Sequence, residues 1–142
     1  MTPSFTLRRY AEADEAAVIA LWQRCNLTRP WNDPRKDIRR KQAVQPELFI
    51  LAECQGRIVG SVMAGYDGHR GWINYLAVDP AQQRRGIATQ LMAEAERGLR
   101  ALGCPKINLQ VRAGNAEAVA YYRALGFVED QVVSLGKRLQ QD

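Results

Sequence analysis

At 142 residues the chain has room for one domain with a single core of ordinary size. Charged residues make up 25% and hydrophobic ones 46%, close to soluble averages, which excludes disordered, collagenous and fibrous classes. The 20 Lys and Arg exceed the 15 Asp and Glu by five, a balance that suits an anionic ligand without selecting one. Cys25, Cys54 and Cys104 are scattered without metal-like spacing, and an odd count gives no disulfide framework, so buried thiols in a reducing compartment are expected. The opening residues, Met1-Thr2-Pro3-Ser4-Phe5-Thr6, lack a basic segment followed by an apolar core, and no run approaches a membrane span. A cytoplasmic protein with no membrane partner is the expectation.

Phe5, Leu7 and Arg9 alternate with polar neighbours as an opening strand. Val18, Leu21, Trp22 and Cys25 then recur at helical spacing after Asp14. A second helix starts at Asp33-Pro34, where Asp can cap and Pro fits the first turn. This helix carries the densest basic cluster, Arg35, Lys36, Arg39, Arg40 and Lys41. It is either a solvated face or a rim that attracts an anionic cofactor or partner, and the lack of interleaved aromatics argues against nucleic acid. Residues 48–52 and 58–64 read as strands around a Gln55-Gly56 turn, and Asp67-Gly68 turns the chain into a third strand over residues 72–78.

The next stretch is the most informative. An apolar run closes at Asp79-Pro80, and Gln83-Arg84-Arg85-Gly86-Ile87-Ala88 opens a helix, so unpaired N–H groups and positive charge converge where a diphosphate could sit. Ile87, Leu91, Ala95, Leu99 and Leu102 form the apolar stripe of that helix, which Gly103 ends. Ile107, Leu109 and Val111 alternate as a strand; Ala118, Tyr122 and Leu125 share a face of a last helix closed by Gly126; residues 128–135 supply a final strand. Three adjacent strands without helical crossovers make this an α/β chain with a mixed sheet.

Leu76-Ala77-Val78, Gln83-x-x-Gly86-x-Ala88 and Asn115-x-x-Ala118-x-x-x-Tyr122-x-x-x-Gly126-Phe127 together resemble the GCN5-related N-acetyltransferase (GNAT) family across nearly the whole chain. Residues 29–34, 66–71, 103–106 and 134–139 look like its bacterial YpeA-type subgroup. The resemblance implies a single GNAT domain over residues 1–142, with a mixed central sheet, splayed fourth and fifth strands and about four flanking helices. It implies an acyltransferase that moves an acetyl group from acetyl-CoA to a primary amine by direct attack within a ternary complex, as a monomer or homodimer and without metal. The runner-up is a weakly catalytic acyl-CoA-binding or sensing module.

By the same resemblance the pantetheine pairs as an added strand with Leu76, Ala77 and Val78. The pyrophosphate meets the backbone of Gln83, Arg84, Arg85, Gly86, Ile87, Ala88 and Thr89, with Arg84 and Arg85 at the flanks. Asn115 caps its helix, meets the pantetheine, or does both; Arg123 approaches the nucleotide phosphate or lies on a solvated face. Tyr122 matches the position whose phenol serves the departing thiolate as general acid, the alternative being a core tyrosine.

The base is less defined. Family members that acetylate peptide amino termini often carry Glu in the fifth strand, where this chain has Gln110, leaving Glu53, Asp67, His69 and Tyr75 as candidates. For the acceptor, Trp31, Asp33, Tyr66 and Asp67 form either an aromatic and acidic recess for an ammonium group or ordinary caps and packing residues.

Overall fold

The computed structural model describes residues 4–142; Met1, Thr2 and Pro3, the first half of the opening segment, lie outside the described residues. The strands are β1 (Thr6–Arg9), β2 (Phe49–Cys54), β3 (Arg57–Tyr66), β4 (Gly71–Val78) and β5 (Ile107–Leu109); the helices are α1 (Glu15–Arg24), α2 (Pro34–Gln42), α3 (Ile87–Ala101) and α4 (Ala116–Ala124). The strands form one sheet in the order β1-β2-β3-β4-β5. Every pairing is antiparallel except β4 with β5, which is parallel and is crossed over by α3. Gln55 and Gly56, both at positive φ, make the two-residue hairpin between Cys54 and Arg57. Among the described residues no helix is long and apolar enough to cross a membrane.

The central strands are covered on both faces. Val18, Leu21 and Trp22 of α1 and Ile38 of α2 pack with Phe49, Leu51, Met63 and Ala77 on one side. On the other, Ile87, Leu91, Ala95 and Leu99 of α3 meet Leu48, Ile50, Val59, Val62 and Ile73. Each of the larger side chains among these, from Val to Phe, contributes roughly 1.5–3 kcal/mol of apolar burial. The α3 stripe ends one member early: Leu102 follows the last helical residue and is exposed. Lys41 also departs from a solvated face, because its turn of α2 lies against β3, where the buried ammonium donates to the Ala64 carbonyl. Burial lowers its pKa.

The final strand expected over residues 128–135 does not form. β5 is only three residues long, and the returning chain meets it through side chains rather than a backbone ladder. Asp130 accepts from Asn108 at 2.8 Å and pairs with Lys106 at 3.1 Å, and Gln110 donates to Ser134. Val128, Val132, Val133 and Leu135 are left exposed.

One irregularity inside the sheet sets the course of the second half of β4. Ser61 pairs with Ala77 and Met63 with Asn74, so Val62 faces two residues, Tyr75 and Leu76, in a β-bulge. Tyr75 has φ +52°, a left-handed conformation that costs a non-glycine residue of order 1–3 kcal/mol. It is held there from three sides. Trp22 Nε1 donates to Ser61 Oγ at 2.9 Å, and Ser61 Oγ donates in turn to the Tyr75 carbonyl at 2.8 Å. The Tyr75 ring stacks on Trp22 with centroids 3.8 Å apart, and its hydroxyl donates to Asp37 Oδ2 at 2.6 Å.

Gly60 sets the position of α3, because a Cβ there would lie 2.9 Å from Ile87 Cγ2 and 3.0 Å from Leu91 Cδ1. Gly60→Val should therefore destabilise the fold by about 1–3 kcal/mol through overpacking, read as a lower Tm. Tyr75→Phe keeps the stack and removes the hydroxyl donor to Asp37. It should cost about 1–2 kcal/mol in denaturant unfolding; a loss near zero would mean that the bulge stands on stacking and Ser61 alone.

Candidate active site

The bulge governs where β4 and β5 part. Their ladder runs Gly71↔Ile107, Trp72↔Asn108, Ile73↔Leu109 and stops. Beyond it, Leu76, Ala77 and Val78 continue along β4 with no β5 residue opposite, so their outward-facing backbone groups are available to an added strand. The end of β4 is pinned on its other side: Asp79 N donates to the Val59 carbonyl at 2.8 Å, and Arg24 pairs with the Asp79 carboxylate at 3.0 Å.

The chain then makes the turn over residues 83–89. Arg84 (φ +65°) and Gly86 (φ +79°) are both left-handed, and Gly86 is the residue immediately before α3. The first N–H groups of α3, those of Ile87, Ala88 and Thr89, have no carbonyl one turn earlier within the helix; Gln90 N is the first to find one, the Gly86 carbonyl at 3.0 Å. A Cβ placed on Gly86 would meet nothing within 4 Å, so the space in front of these donors is open. Partial positive charge at the helix start and free donors suit an anion. The arginines divide: Arg84 is exposed, whereas Arg85 turns back to donate to Gln82 and lies over the Phe5 ring at 5.6 Å.

Helix α4 brings the second motif to the first. Thr89 Oγ1 and Tyr121 Oη are 3.4 Å apart, so the anion turn and the tyrosine pair touch. Asn115 caps α4, its Oδ1 accepting from Ala118 N at 3.1 Å. Arg123 is exposed and ion-paired to Glu129 at 3.1 Å. Tyr122 is half-buried, packed edge-on to Tyr121 at 5.3 Å and Phe127 at 5.7 Å. Burial, then the neighbouring Tyr121, raises its pKa above the ordinary phenol value, so it stays protonated at neutral pH. A cavity of about 1110 Å³ opens beside it, with Trp72, Asn74, Gln110, Arg112 and Val119 also in its wall. The turn over residues 83–89 lies outside that cavity and reaches it by way of Thr89 and Tyr121.

The acceptor-side residues fall in two places. Asp33 caps α2, accepting from Arg35 N at 2.9 Å, and Trp31 beside it is 56% exposed. Tyr66 and Asp67 lie instead at the β3–β4 hairpin, where the Tyr66 hydroxyl donates to the Gly68 carbonyl at 3.1 Å. Asp67 accepts from the Arg70 and His69 N–H groups, both at 2.7 Å, which hold its carboxyl below the usual range. Among the base candidates, Glu53 is paired with Arg8 and His69 is exposed at the hairpin. Tyr75 donates to Asp37; burial first and this carboxylate second push its phenol well above the ordinary value, which makes it a donor and not a base. None of the four lines the cavity beside Tyr122.

Sequence reasoning missed Asn32 and Asp37 as the partners of Tyr75, with Asn32 Nδ2 donating to the Tyr75 hydroxyl at 3.1 Å. It also missed the Trp22–Ser61 support. The available signal was Ser61 itself, a lone hydroxyl in the middle of an apolar strand.

The profile of the acetyltransferase (GNAT) family matches residues 16–127. An acetyltransferase of Sodalis glossinidius is 50% identical over 137 residues, 96% of each chain. Among solved structures, the ribosomal-protein-S18-alanine N-acetyltransferase of Escherichia coli is 25% identical with a TM-score of 0.74, covering 90% of this chain and 80% of its own. An aminoglycoside N-acetyltransferase in complex with CoA shares the fold at a TM-score of 0.78, with 18% identity and coverage of 99% of this chain and 98% of its own. With the open edge of β4, the anion turn before α3 and the α4 tyrosines joined in one fold, the chain belongs to the GNAT acetyltransferase family and is an N-acetyltransferase with acetyl-CoA as its cosubstrate.

Proposed function

We propose that acetyl-CoA lies along the open edge of β4 with its pyrophosphate at the turn over residues 83–89, and that a primary amine attacks the thioester directly. The observation that carries this reading is the contact between Thr89 and Tyr121. It joins the phosphate end of the cofactor path to the helix that bears Tyr122, so a diphosphate and a thioester can be held by one surface. Leu76, Ala77 and Val78 would pair with the pantetheine amides, and Asn115 and Arg123 stand at the nearby helix. A cytoplasmic setting fits the free thiols of Cys25, Cys54 and Cys104.

Tyr122 is assigned to the leaving group. A phenol above its ordinary value near 10 faces a thiolate whose conjugate acid lies at about 8.5 for a simple thiol, so full transfer in the ground state is uphill. Its stronger contribution is a hydrogen bond that strengthens as negative charge builds on sulfur, with the proton shared as the carbon–sulfur bond breaks. A neutral amine sheds one proton on forming the amide, and this replaces the proton that Tyr122 gives to the departing sulfur, so the step balances. Gln110 has no basic site at neutral pH for the additional proton of an ammonium, so an acceptor amine that is already neutral is the competent form.

Tyr122→Phe should lower turnover by about 10²-fold or more with little change in acetyl-CoA affinity, measured by release of free thiol from acetyl-CoA in the presence of a panel of amines. Equal turnover in the two proteins would reduce Tyr122 to a packing residue. Gly86→Glu places a strained backbone and a negative side chain in the open space before α3. Calorimetric affinity for acetyl-CoA should collapse while circular dichroism stays native; unchanged affinity would move the cofactor elsewhere.

A further inference from the structure

Beyond the cavity beside Tyr122, residues 136–142 cross to the start of α2 and end in a contact that the acetyl-transfer chemistry does not use. The Asp142 side-chain carboxylate is 2% exposed. Its Oδ2 accepts from the Asp33 N–H at 2.9 Å, its Oδ1 from Arg40 Nη2 at 2.7 Å, and Lys36 Nζ donates to the Asp142 main-chain oxygen at 3.2 Å. Arg138 stands 4.0 Å from the same carboxylate. Apolar packing does not hold this strap down, since Leu139 is 89% exposed. Between the strap and the exposed Trp31 lies a groove of about 720 Å³.

The groove adjoins the cofactor strand through a short chain of contacts: Arg40 donates to Asp37 Oδ1 at 3.1 Å, and Asp37 Oδ2 accepts from Tyr75, the residue before Leu76. We propose that the Asp33 N–H, Lys36 and Arg40 are the carboxylate-binding part of the acceptor site, that Asp142 fills it in the resting chain, and that an amine bearing a carboxylate, such as an amino acid or an acidic peptide, takes its place. The inference rests on the acetyltransferase reading for the amine and on the Asp142 contacts for the carboxylate. A guanidinium with a backbone N–H beside it recognises a planar anion rather than a point charge. Displacement of Asp142 by a neutral or purely cationic acceptor would take away the Lys36 and Asp33 N–H contacts and leave Arg40 with Asp37 alone, so an anionic replacement is favoured. Because Asp142 is tethered, a free carboxylate competes against a local concentration on the order of millimolar, and exchange needs no unfolding.

The test is nuclear magnetic resonance of the ¹⁵N-labelled full chain with glutarate as the probe, against sodium chloride of equal ionic strength. Asp142→Asn should loosen the amides of residues 137–141 and speed hydrogen exchange at the Asp33 amide by about 10-fold or more, as befits loss of a charge-assisted hydrogen bond. Glutarate added to the wild-type chain should loosen the same strap amides while the Asp33 amide stays protected, the signature of replacement rather than release. Lys36→Gln should weaken that response. A strap unchanged in Asp142→Asn, or glutarate acting no more than salt, would overturn the proposal. In turnover, paired peptide amines ending in carboxylate or carboxamide should differ by about 10-fold in kcat/KM in favour of the acid, and Lys36→Gln should narrow the ratio. Turnover of no amine at all, with glutarate still displacing the strap, would count against the acetyl-transfer reading alone.

Discussion

The hydrogen-bond chain from Trp22 through Ser61 to the Tyr75 carbonyl is the constraint on which the site depends. A strand left to itself would run on in register, with β4 and β5 paired along their length and no open edge between them. The bulge inserts a residue opposite Val62 and turns the rest of β4 away. A left-handed tyrosine in mid-strand is unfavourable locally, and it persists because groups from α1, α2 and β3 each hold one part of it. The α1–α2 layer is therefore a template for the open edge of β4 as well as half of the core. Ser61 is fully buried and fully bonded, which is the condition under which a polar group strengthens an apolar interior.

The second constraint is electrostatic. An excess of basic residues invites the idea of a broad cationic surface, yet much of the α2 cluster is engaged within the chain, although Arg35, Arg39 and Arg40 are exposed and only Lys41 is buried. Arg39 stands 3.8 Å from Glu15, Arg40 bridges Asp37 and Asp142, and Lys41 is buried against β3. The anion turn before α3 is built mainly from backbone donors, with Arg85 engaged by Gln82 and Phe5. Backbone donors fixed by the helix geometry hold a phosphate without the conformational loss that ordering exposed arginines would entail. This division separates two electrostatic settings in the molecule: main-chain N–H groups without partners in the helix at the start of α3, and side-chain cations paired with carboxylates at α2.

Much of the fold was legible because the elements that carry it obey short-range rules. The four-residue repeat of Ile87, Leu91, Ala95 and Leu99 could form only an amphipathic helix, and Asp33-Pro34 and Gln55-Gly56 sit where their backbone preferences place them. The start of α3 was legible for the same reason, since glycine before an apolar stripe marks a helix start. What escaped depended on partners far along the chain. No local pattern says that Tyr75 takes a positive φ, because the groups that enforce it come from positions 22, 37 and 61. Residues 128–135 mislead for the opposite reason: their composition suits a strand, but a strand exists only with a partner ladder, and β5 stops after three residues. The sequence pattern leaves Trp31, Asp33, Tyr66 and Asp67 as either one recess or ordinary caps and packing residues; Asp33 caps α2, and the hairpin occupies Tyr66 and Asp67 with its own turn.

The α2 layer and the free end of β4 are joined through one residue. Tyr75 belongs to both: its backbone forms the bulge that frees Leu76, Ala77 and Val78, and its hydroxyl reaches Asp37, which shares Arg40 with Asp142. A change at the start of α2 therefore has a covalent and hydrogen-bonded route to the free end of β4 without any movement of the sheet as a whole. Packed cores transmit such shifts poorly by deformation and well by exchange between discrete hydrogen-bond arrangements. Arg40 is the member of this chain that holds two anions at once, and Tyr75 is the member whose strained backbone gains most from a settled partner. The geometry thus ties the charges around Arg40 to how firmly the β4 bulge is held.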